Sequence, residues 1–265
     1  MTDKLRHIPD PLDLHFRLGM FHASLAQTAD QMAAVHKLRS ERFRNASAAG
    51  DMDRFDPLCH HLTICTRPER DPICVARFRI LAGPDEISSS YSGQFYDLTA
   101  LARSGQRLVE VGRICIDEQH AQDVDVARVL LAALTRITSD CAADMLIGCA
   151  SFSGADPQAH GDALRYLFGR HMGPATLRPG RRAGLRHITS ADGKEANQAD
   201  MRHVPALLRL YLGMGGWVSD HAVCDQELDT VHVFTAVEVK AIPPARLRTL
   251  QALAQDDDAA PRPES

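Results

Sequence analysis

A carboxylate and a guanidinium interrupt an otherwise apolar run of residues. Positions 108–116 read Leu-Val-Glu-Val-Gly-Arg-Ile-Cys-Ile, and the charged members are Glu110 and Arg113. They are three positions apart, so a regular strand would point their side chains to opposite faces. Gly112 lies between them and permits a bulge that would turn both toward one cleft. A buried carboxylate near a guanidinium is either a structural ion pair or an acid–base site, and these residues alone leave both interpretations open.

The sequence around this run predicts a strand, a helix and a second strand. β-forming residues in near-alternation predict a largely buried strand at 108–116. Residues 124–138 place apolar side chains on one helical face, and Asp123 is a good N-cap for that helix. Residues 143–152 form a second apolar run that ends in small residues. The resulting β-α-β unit predicts a central cleft at the ends of its two strands.

Three segments in and before this unit resemble the ornithine lipid N-acyltransferases. They are Glu-Val-Gly-Arg-Ile-Cys at 110–115, Gly-Cys-Ala-Ser-Phe-Ser-Gly-Ala-Asp-Pro at 148–157 and Tyr-Ser-Gly-Gln-Phe-Tyr-Asp-Leu at 91–98. The resemblance runs from about Leu38 to Val239 with the motifs in the same order. That family belongs to the GNAT-like acyltransferases and is more distantly similar to the acyl-homoserine-lactone synthases. The resemblance implies an α/β (α+β) fold: a mixed, mostly antiparallel central sheet flanked by helices, with splayed central strands.

The resemblance also implies a reaction. The family moves a 3-hydroxyacyl chain from acyl carrier protein to the α-amine of ornithine, which gives lyso-ornithine lipid. An ammonium is not a nucleophile, so a carboxylate in a semi-buried cleft is the sensible base, directly or through a water. Glu110 is the candidate for this role. Arg113 would orient Glu110 or bind the carboxylate of an amino-acid-like acceptor in a bidentate contact.

The turn before the predicted helix bears on the acyl donor. Residues 119–125 read Gln-His-Ala-Gln-Asp-Val-Asp and lack the glycines with which acetyl-coenzyme-A enzymes hold a pyrophosphate. Asp123 and Asp125 would repel such a group. This argues against free coenzyme A, and for an acyl-phosphopantetheine arm presented by acyl carrier protein, as the resemblance also implies. No bound cofactor is expected.

A locally basic arm follows the core unit. Carrier proteins are acidic, so this arm is a plausible dock for one. An anionic membrane is a second partner that it suits, and a solvated loop is the plainest interpretation. Its members are Arg178, Arg181, Arg182 and Arg186.

Further residues are candidates for binding the acyl donor. Arg39 and Phe43 match the family's opening helix, where the resemblance places an arginine and a phenylalanine toward the acyl cleft, although a solvated helix face is the commoner arrangement. Arg77 and Arg79 are two apart and share a strand face, so they are either solvated or aimed at an anion.

A last group of donor-site candidates lies on the two strands of the β-α-β unit. Its members are Cys115, Ile116, Cys149 and Ser151. Either of the two cysteines could carry the acyl chain as a covalent thioester. A buried thiol without a nearby base is usually inert, so direct transfer is favoured.

Composition excludes several classes of function. The net charge is -4, which gives no argument for nucleic acid. The seven cysteines show no CxxC spacing, which favours buried thiols in a reducing cytoplasm. Adjacent His60 and His61 would point to opposite sides of an extended chain, so no metal site is expected.

No run reaches the roughly 20 apolar residues of a spanning helix, and no signal peptide is apparent. A lipid-directed enzyme of this kind would be cytoplasmic and peripheral on the inner membrane.

The chain order predicts three segments: a flexible leader at 1–20, a GNAT-like acyltransferase domain at 21–240, and a C-terminal helix with an acidic tail at 241–265. The first helix is predicted at 21–47. Two rival functions remain open. One is an acyl-homoserine-lactone synthase-like or other GNAT N-acyltransferase, and the other is a non-catalytic GNAT-like binding protein of the kind labelled haemolysin.

Overall fold

The computed structural model describes residues 12–42, 51–189 and 198–254. In chain order the strands and helices are β1 (His15–Leu18), β2 (Phe21–Leu25), α1 (Ala29–Arg42), β3 (His60–Cys65), β4 (Cys74–Leu81), α2 (Pro84–Ser88), β5 (Tyr96–Asp97), α3 (Thr99–Ala102), β6 (Leu108–Ile116), α4 (Val124–Asp140), β7 (Met145–Ser153), α5 (Gly161–Arg170), β8 (Gly180–Arg181), β9 (His187–Ile188), α6 (Ala206–Leu212), β10 (Trp217–Asp225), β11 (Thr230–Glu238) and α7 (Pro244–Ala254). None of these helices is both long enough and apolar enough to cross a membrane.

The chain divides into two compact units. The first contains the described parts of residues 1–78, 113–142 and 244–265, and the second contains those of 79–112 and 143–243. Strands β4 and β6 each contribute residues to both units.

The first unit is built from antiparallel strands and three helices. Strand β1 pairs with β2, β2 with β3, and β3 with β4, all antiparallel. Helix α4 begins where predicted, because the Asp123 side chain accepts a hydrogen bond from the Asp125 N–H at 2.8 Å. Its buried face is mostly apolar, with Thr135 and Thr138 as the polar members, and α7 packs against the helix.

The second unit contains the predicted pair of parallel strands. Strand β6 pairs with β7 in parallel over residues 108–110 and 145–147. Strand β7 then pairs with β11, β11 with β10 and β10 with β9, all antiparallel. The predicted mixed, mostly antiparallel α/β fold is confirmed.

The parallel pairing of β6 with β7 is short. It ends at Glu110 and Ile147, although β6 continues to Ile116 and β7 to Ser153. Just past this point a Cβ on Gly148 would collide with the carbonyl oxygen of Val111. The backbones are therefore in close contact where the ladder stops, and the predicted splay of the central strands stays a prediction.

Several elements differ from the sequence-based expectations. Strand β1 lies inside the predicted leader, with Phe16 fully buried. The first helix begins at Ala29, because Phe21–Leu25 alternates buried and half-buried residues and pairs as a strand. That alternation is a period-2 signal that was available in the sequence. The boundaries at 20 and 240 stay predictions, and Phe43 lies outside the described residues.

Candidate functional site

Glu110 in the second unit is held by two backbone amides. Its Oε2 accepts a hydrogen bond from the N–H of Tyr91 at 3.0 Å, and its Oε1 accepts one from the N–H of Ser92 at 2.7 Å. Its residue exposure is 7%. A carboxylate offers about four lone-pair sites, so each oxygen keeps one for a proton or a water. The carboxylate is therefore fixed in position and still able to accept a proton.

The segment that holds Glu110, residues 91–93, is itself held by further hydrogen bonds. Arg182 Nη1 donates to the carbonyl oxygen of Gly93, and the N–H of Gly93 donates to Ser90 Oγ at 3.2 Å. A Cβ at Gly93 would collide with the carbonyl oxygen of Ser88, so the backbones are tightly packed here. Residues 91–93 are thus hydrogen-bonded to Glu110, to Ser90 and to Arg182. These bonds hold the amides of Tyr91 and Ser92 in one orientation toward Glu110.

Cys149 and Ser151 lie on the same strand face as the residue opposite Glu110. Ile147 pairs with Glu110, and side chains two and four positions further along β7 share its face. Cys149 is half-buried and its Sγ donates to Ser92 Oγ at 3.6 Å, while Ser151 is exposed. The structure therefore brings Cys149 next to the segment that binds the Glu110 carboxylate.

A buried tyrosine and histidine lie beside this segment. The Tyr96 hydroxyl donates to the His232 carbonyl oxygen at 2.9 Å and lies 3.1 Å from His232 Nδ1. The Phe95 ring contacts the His232 ring edge-on at 4.7 Å. His232 was not among the predicted site residues. The sequence did contain a signal for it: His232 alternates with Phe234 and Ala236, so it lies on an otherwise apolar face of β11.

Burial determines the charge of this histidine. Burial, with a smaller effect of His221, lowers the pKa of His232 from 6.5 to about 4. Burial likewise raises the pKa of Tyr96 well above its usual value. Both side chains are therefore neutral at pH 7 and pair as neutral hydrogen-bonding groups.

We expect His232 to make the folded state acid-sensitive. Between pH 6.5 and about 4 the unfolded chain binds a proton on His232 that the folded chain does not, so stability is full above this window and falls as the pH is lowered through it. From pH 7.5 to 5 the loss from this one group should be about 2 kcal/mol. Urea unfolding of wild type and His232→Asn at both pH values measures it. The asparagine amide still reaches Tyr96 but does not titrate, so an equal pH dependence in the two proteins would contradict the prediction.

An arginine–aspartate network lies in the first unit. Its members are Arg39, Asp51, Asp53, Asp56, Arg77 and Arg113. Asp56 is at its centre: Arg39 binds it through Nη1 at 2.8 Å and Nη2 at 3.2 Å, and Arg77 Nη1 binds it at 2.7 Å. Burial alone would raise the pKa of Asp56, but the hydrogen bonds from Arg39, the Asp53 N–H and Arg77 hold it well below its usual value.

Arg113 joins the same network. Its Nε lies 3.1 Å from Asp51 Oδ2, and its Nη2 lies 3.1 Å from Asp53 Oδ2. Its φ of 50° is in the left-handed region, so the irregularity of β6 falls on Arg113 and not on Gly112. The catalytic role of Arg113 stays a prediction, but its guanidinium already binds two carboxylates of its own unit.

The arginines predicted for the donor site differ in their surroundings. Arg39 is 1% exposed and Arg77 is 4% exposed, so the solvated-face interpretation is wrong for both. The anions that Arg39 and Arg77 bind are aspartates of this chain. A role of either arginine in donor binding stays a prediction. Arg79 is half-buried, and its Nη1 has no hydrogen-bond partner among the described residues. In the basic arm, Arg181, Arg182 and Arg186 are exposed and Arg178 is half-buried.

Cys115 is a poor nucleophile. It packs with Val35, Leu38 and Val75, and burial raises its pKa to about 12. Almost none of it is thiolate at pH 7. This favours direct transfer over a Cys115 thioester. Its neighbour Ile116 is half-buried.

A domain model and several known proteins match this chain. Residues 35–131 match the model of the acetyltransferase (GNAT) domain. The L-ornithine N(alpha)-acyltransferase of Rhodobacter capsulatus is 32% identical over 237 residues, which cover 84% of this chain and 91% of that protein. The protein of the same name from Brucella abortus is 29% identical over 85% of this chain and 87% of its own. Among solved structures, the N-acyl amino acid synthase FeeM from uncultured soil microbes aligns with a TM-score of 0.44 and 14% identity, covering 90% of this chain and 98% of that one.

Proposed function

This chain belongs to the family of L-ornithine N(α)-acyltransferases, and from that premise we propose that it transfers a 3-hydroxyacyl chain from acyl carrier protein to the α-amine of ornithine. The product would be a lyso-ornithine lipid. The chain is an acyltransferase, and the single observation that carries the proposal is the Glu110 carboxylate, buried and held by the amides of Tyr91 and Ser92.

The proposed reaction begins with proton removal from the α-ammonium of ornithine. Glu110 accepts this proton on a free lone pair, directly or through one water, and leaves a neutral amine. The amine attacks the thioester carbonyl, so a C–N bond forms and the carbonyl oxygen becomes negatively charged. When that oxyanion collapses, the C–S bond breaks. The attacking nitrogen loses a second proton as the amide forms. The leaving thiolate takes up one proton, so the reaction as a whole releases one proton to solvent.

The turn before α4 supports a carrier-protein donor. Helix N-terminal N–H groups are the usual binding site for a pyrophosphate. Here the Asp125 N–H is bound by the Asp123 carboxylate at 2.8 Å, and the Gln119 N–H is bound by the Asp117 carboxylate at 2.9 Å. The chain's own carboxylates therefore bind two backbone N–H groups of this region and place negative charge where a pyrophosphate would bind. A phosphopantetheine arm makes no such demand, because its protein carries it to the site.

The basic arm supports the proposed partners. Arg181, Arg182 and Arg186 are exposed on a protein of net negative charge. Long-range attraction to an acidic carrier protein would speed their encounter. The same cations suit an anionic inner-membrane surface. This arm is consistent with a cytoplasmic location and peripheral binding to that membrane.

The donor assignment predicts a ratio of rates. With ornithine as acceptor, we expect kcat/KM for 3-hydroxyacyl carrier protein to exceed that for the coenzyme A thioester of the same chain by about tenfold or more. Mass spectrometry of the purified reaction identifies N-acylornithine and measures its rate. Equal rates with the two donors would overturn the carrier-protein assignment. Absence of acylornithine with both donors would overturn the acceptor.

A further inference from the structure

The second unit contains an open pocket that carries both signs of charge. Its volume is about 290 Å³. That is at the small end of ligand sites, which suits a molecule of single-amino-acid size. Its walls combine apolar surface, hydroxyl groups and three charged side chains, from Ser88, Tyr96, Asp97, Leu98, Thr99, Arg181, Arg182 and Ala183.

Asp97 gives the pocket a carboxylate with one oxygen unused. Its Oδ1 accepts hydrogen bonds from the N–H of Thr99 at 3.0 Å and from Thr99 Oγ1 at 2.5 Å. These bonds to Thr99, with a smaller effect of Arg182 and Arg103, lower the pKa of Asp97. Within the described residues Oδ2 has no hydrogen bond. A charged oxygen on a fixed side chain is therefore available to a cation.

The two arginines supply the opposite charge. Arg182 Nη1 donates to the Gly93 carbonyl oxygen. Its other nitrogens have no hydrogen bond within the described residues. Arg181 is exposed, and no side chain in the described part of the chain forms an ion pair with it. The flat guanidinium matches a carboxylate in a two-bond contact.

The mixture of charges selects among ligands. A phosphate would gain from Arg181 and Arg182 but would be repelled by Asp97. A molecule with a carboxylate at one end and an ammonium at the other satisfies all three side chains. We propose that this pocket binds the free amino-acid acceptor, its α-carboxylate on Arg181 and Arg182 and its side-chain ammonium on Asp97 Oδ2. This inference rests on the proposed function and makes Asp97 the residue that selects ornithine.

The pocket is linked to Glu110 through one segment of chain. Tyr96 and Asp97 of its wall come four and five positions after Ser92, whose N–H binds Glu110, and Arg182 binds Gly93 between them. The α-amine has no assigned partner among Asp97, Arg181 and Arg182. It is therefore the group left free to react.

The experiment compares ornithine with norvaline, which has the same carbon chain and no side-chain ammonium. We expect Asp97→Asn to raise the KM for ornithine roughly tenfold, since one charged hydrogen bond is lost, and to leave the KM for norvaline within about twofold. The asparagine oxygen still accepts the bonds from Thr99. Asp85→Asn, at an exposed aspartate outside the pocket, should change neither value. Equal effects on the two amino acids, or none on ornithine, would overturn the assignment of Asp97.

The carboxylate contact has its own test. Arg181→Gln should raise the KM for ornithine and for norvaline alike, whereas Arg186→Gln, on the same arm but outside the pocket, should not. If both variants change only the KM for the acyl donor, these arginines serve docking and the pocket assignment is wrong.

Calorimetric titration of the full chain with ornithine separates this inference from the proposed function. Binding that Asp97→Asn weakens supports the pocket even if no acylornithine forms. Acylornithine formed at unchanged KM by Asp97→Asn leaves the function intact and refutes the pocket.

Discussion

Replacement of Glu110 by glutamine should lower kcat by about 100- to 10,000-fold, the range lost when a general base is removed. The variant should regain activity as the pH is raised, about tenfold per unit below the amine's pKa, because solution then supplies the neutral amine. Steady-state rates with saturating donor across pH 6 to 9, the range in which the free amine becomes common, measure both effects. A loss that stays constant at every pH would contradict the role of Glu110 as base.

A control is needed because Glu110 also holds the backbone at Tyr91 and Ser92. A glutamine places an amide NH₂ against one of these N–H donors, so part of the loss in Glu110→Gln will be positional. Ser90→Ala removes the acceptor for the Gly93 N–H in the same segment and leaves the carboxylate in place. We expect this variant to lose little activity and to keep the wild-type pH profile. If its loss and pH profile match those of Glu110→Gln, the carboxylate is structural.

The second large effect is on stability. Asp56→Asn should lower the free energy of unfolding by about 3–5 kcal/mol, because Arg39 and Arg77 would each lose a charged partner while remaining buried. Chemical denaturation at pH 7 measures this loss.

The chain offers a matched exposed ion pair as control. Lys37 lies on the same helix as Arg39 and binds Asp71 at 2.9 Å, with side-chain exposures of 63% and 73%. Asp71→Asn should leave the free energy of unfolding nearly unchanged, since water replaces the lost contact. Similar losses in Asp56→Asn and Asp71→Asn would show that the buried network contributes no more than a surface pair.

The local pattern of the sequence was sufficient to predict the elements that carry the site. Near-alternation at 108–116 predicted β6 with its observed bounds, and Asp123 predicted the start of α4. The motifs around Glu110 predicted the family. Local patterns work here because each depends on residues within one strand or one helical turn.

The partners of the charged residues were not predictable in the same way. Arg39 and Asp56 are 17 positions apart, and Arg113 and Asp53 are 60 apart. Only the tertiary fold brings such residues together, and no periodicity encodes it. The partners of Glu110 are backbone amides, which every residue except proline carries, so side-chain types gave no signal for them.

Arg182 illustrates how an alanine scan of the basic arm would have to be interpreted. Its guanidinium donates to the carbonyl oxygen of Gly93, the residue after Ser92, whose N–H binds Glu110. Truncating Arg182 would therefore disturb the backbone that holds Glu110, whether or not a carrier protein docks on the arm. A fall in turnover of that variant would therefore not by itself test the proposed docking of a carrier protein. Arg186 is the cleaner test, because it makes no hydrogen bond to residues 91–93 within the described part of the chain.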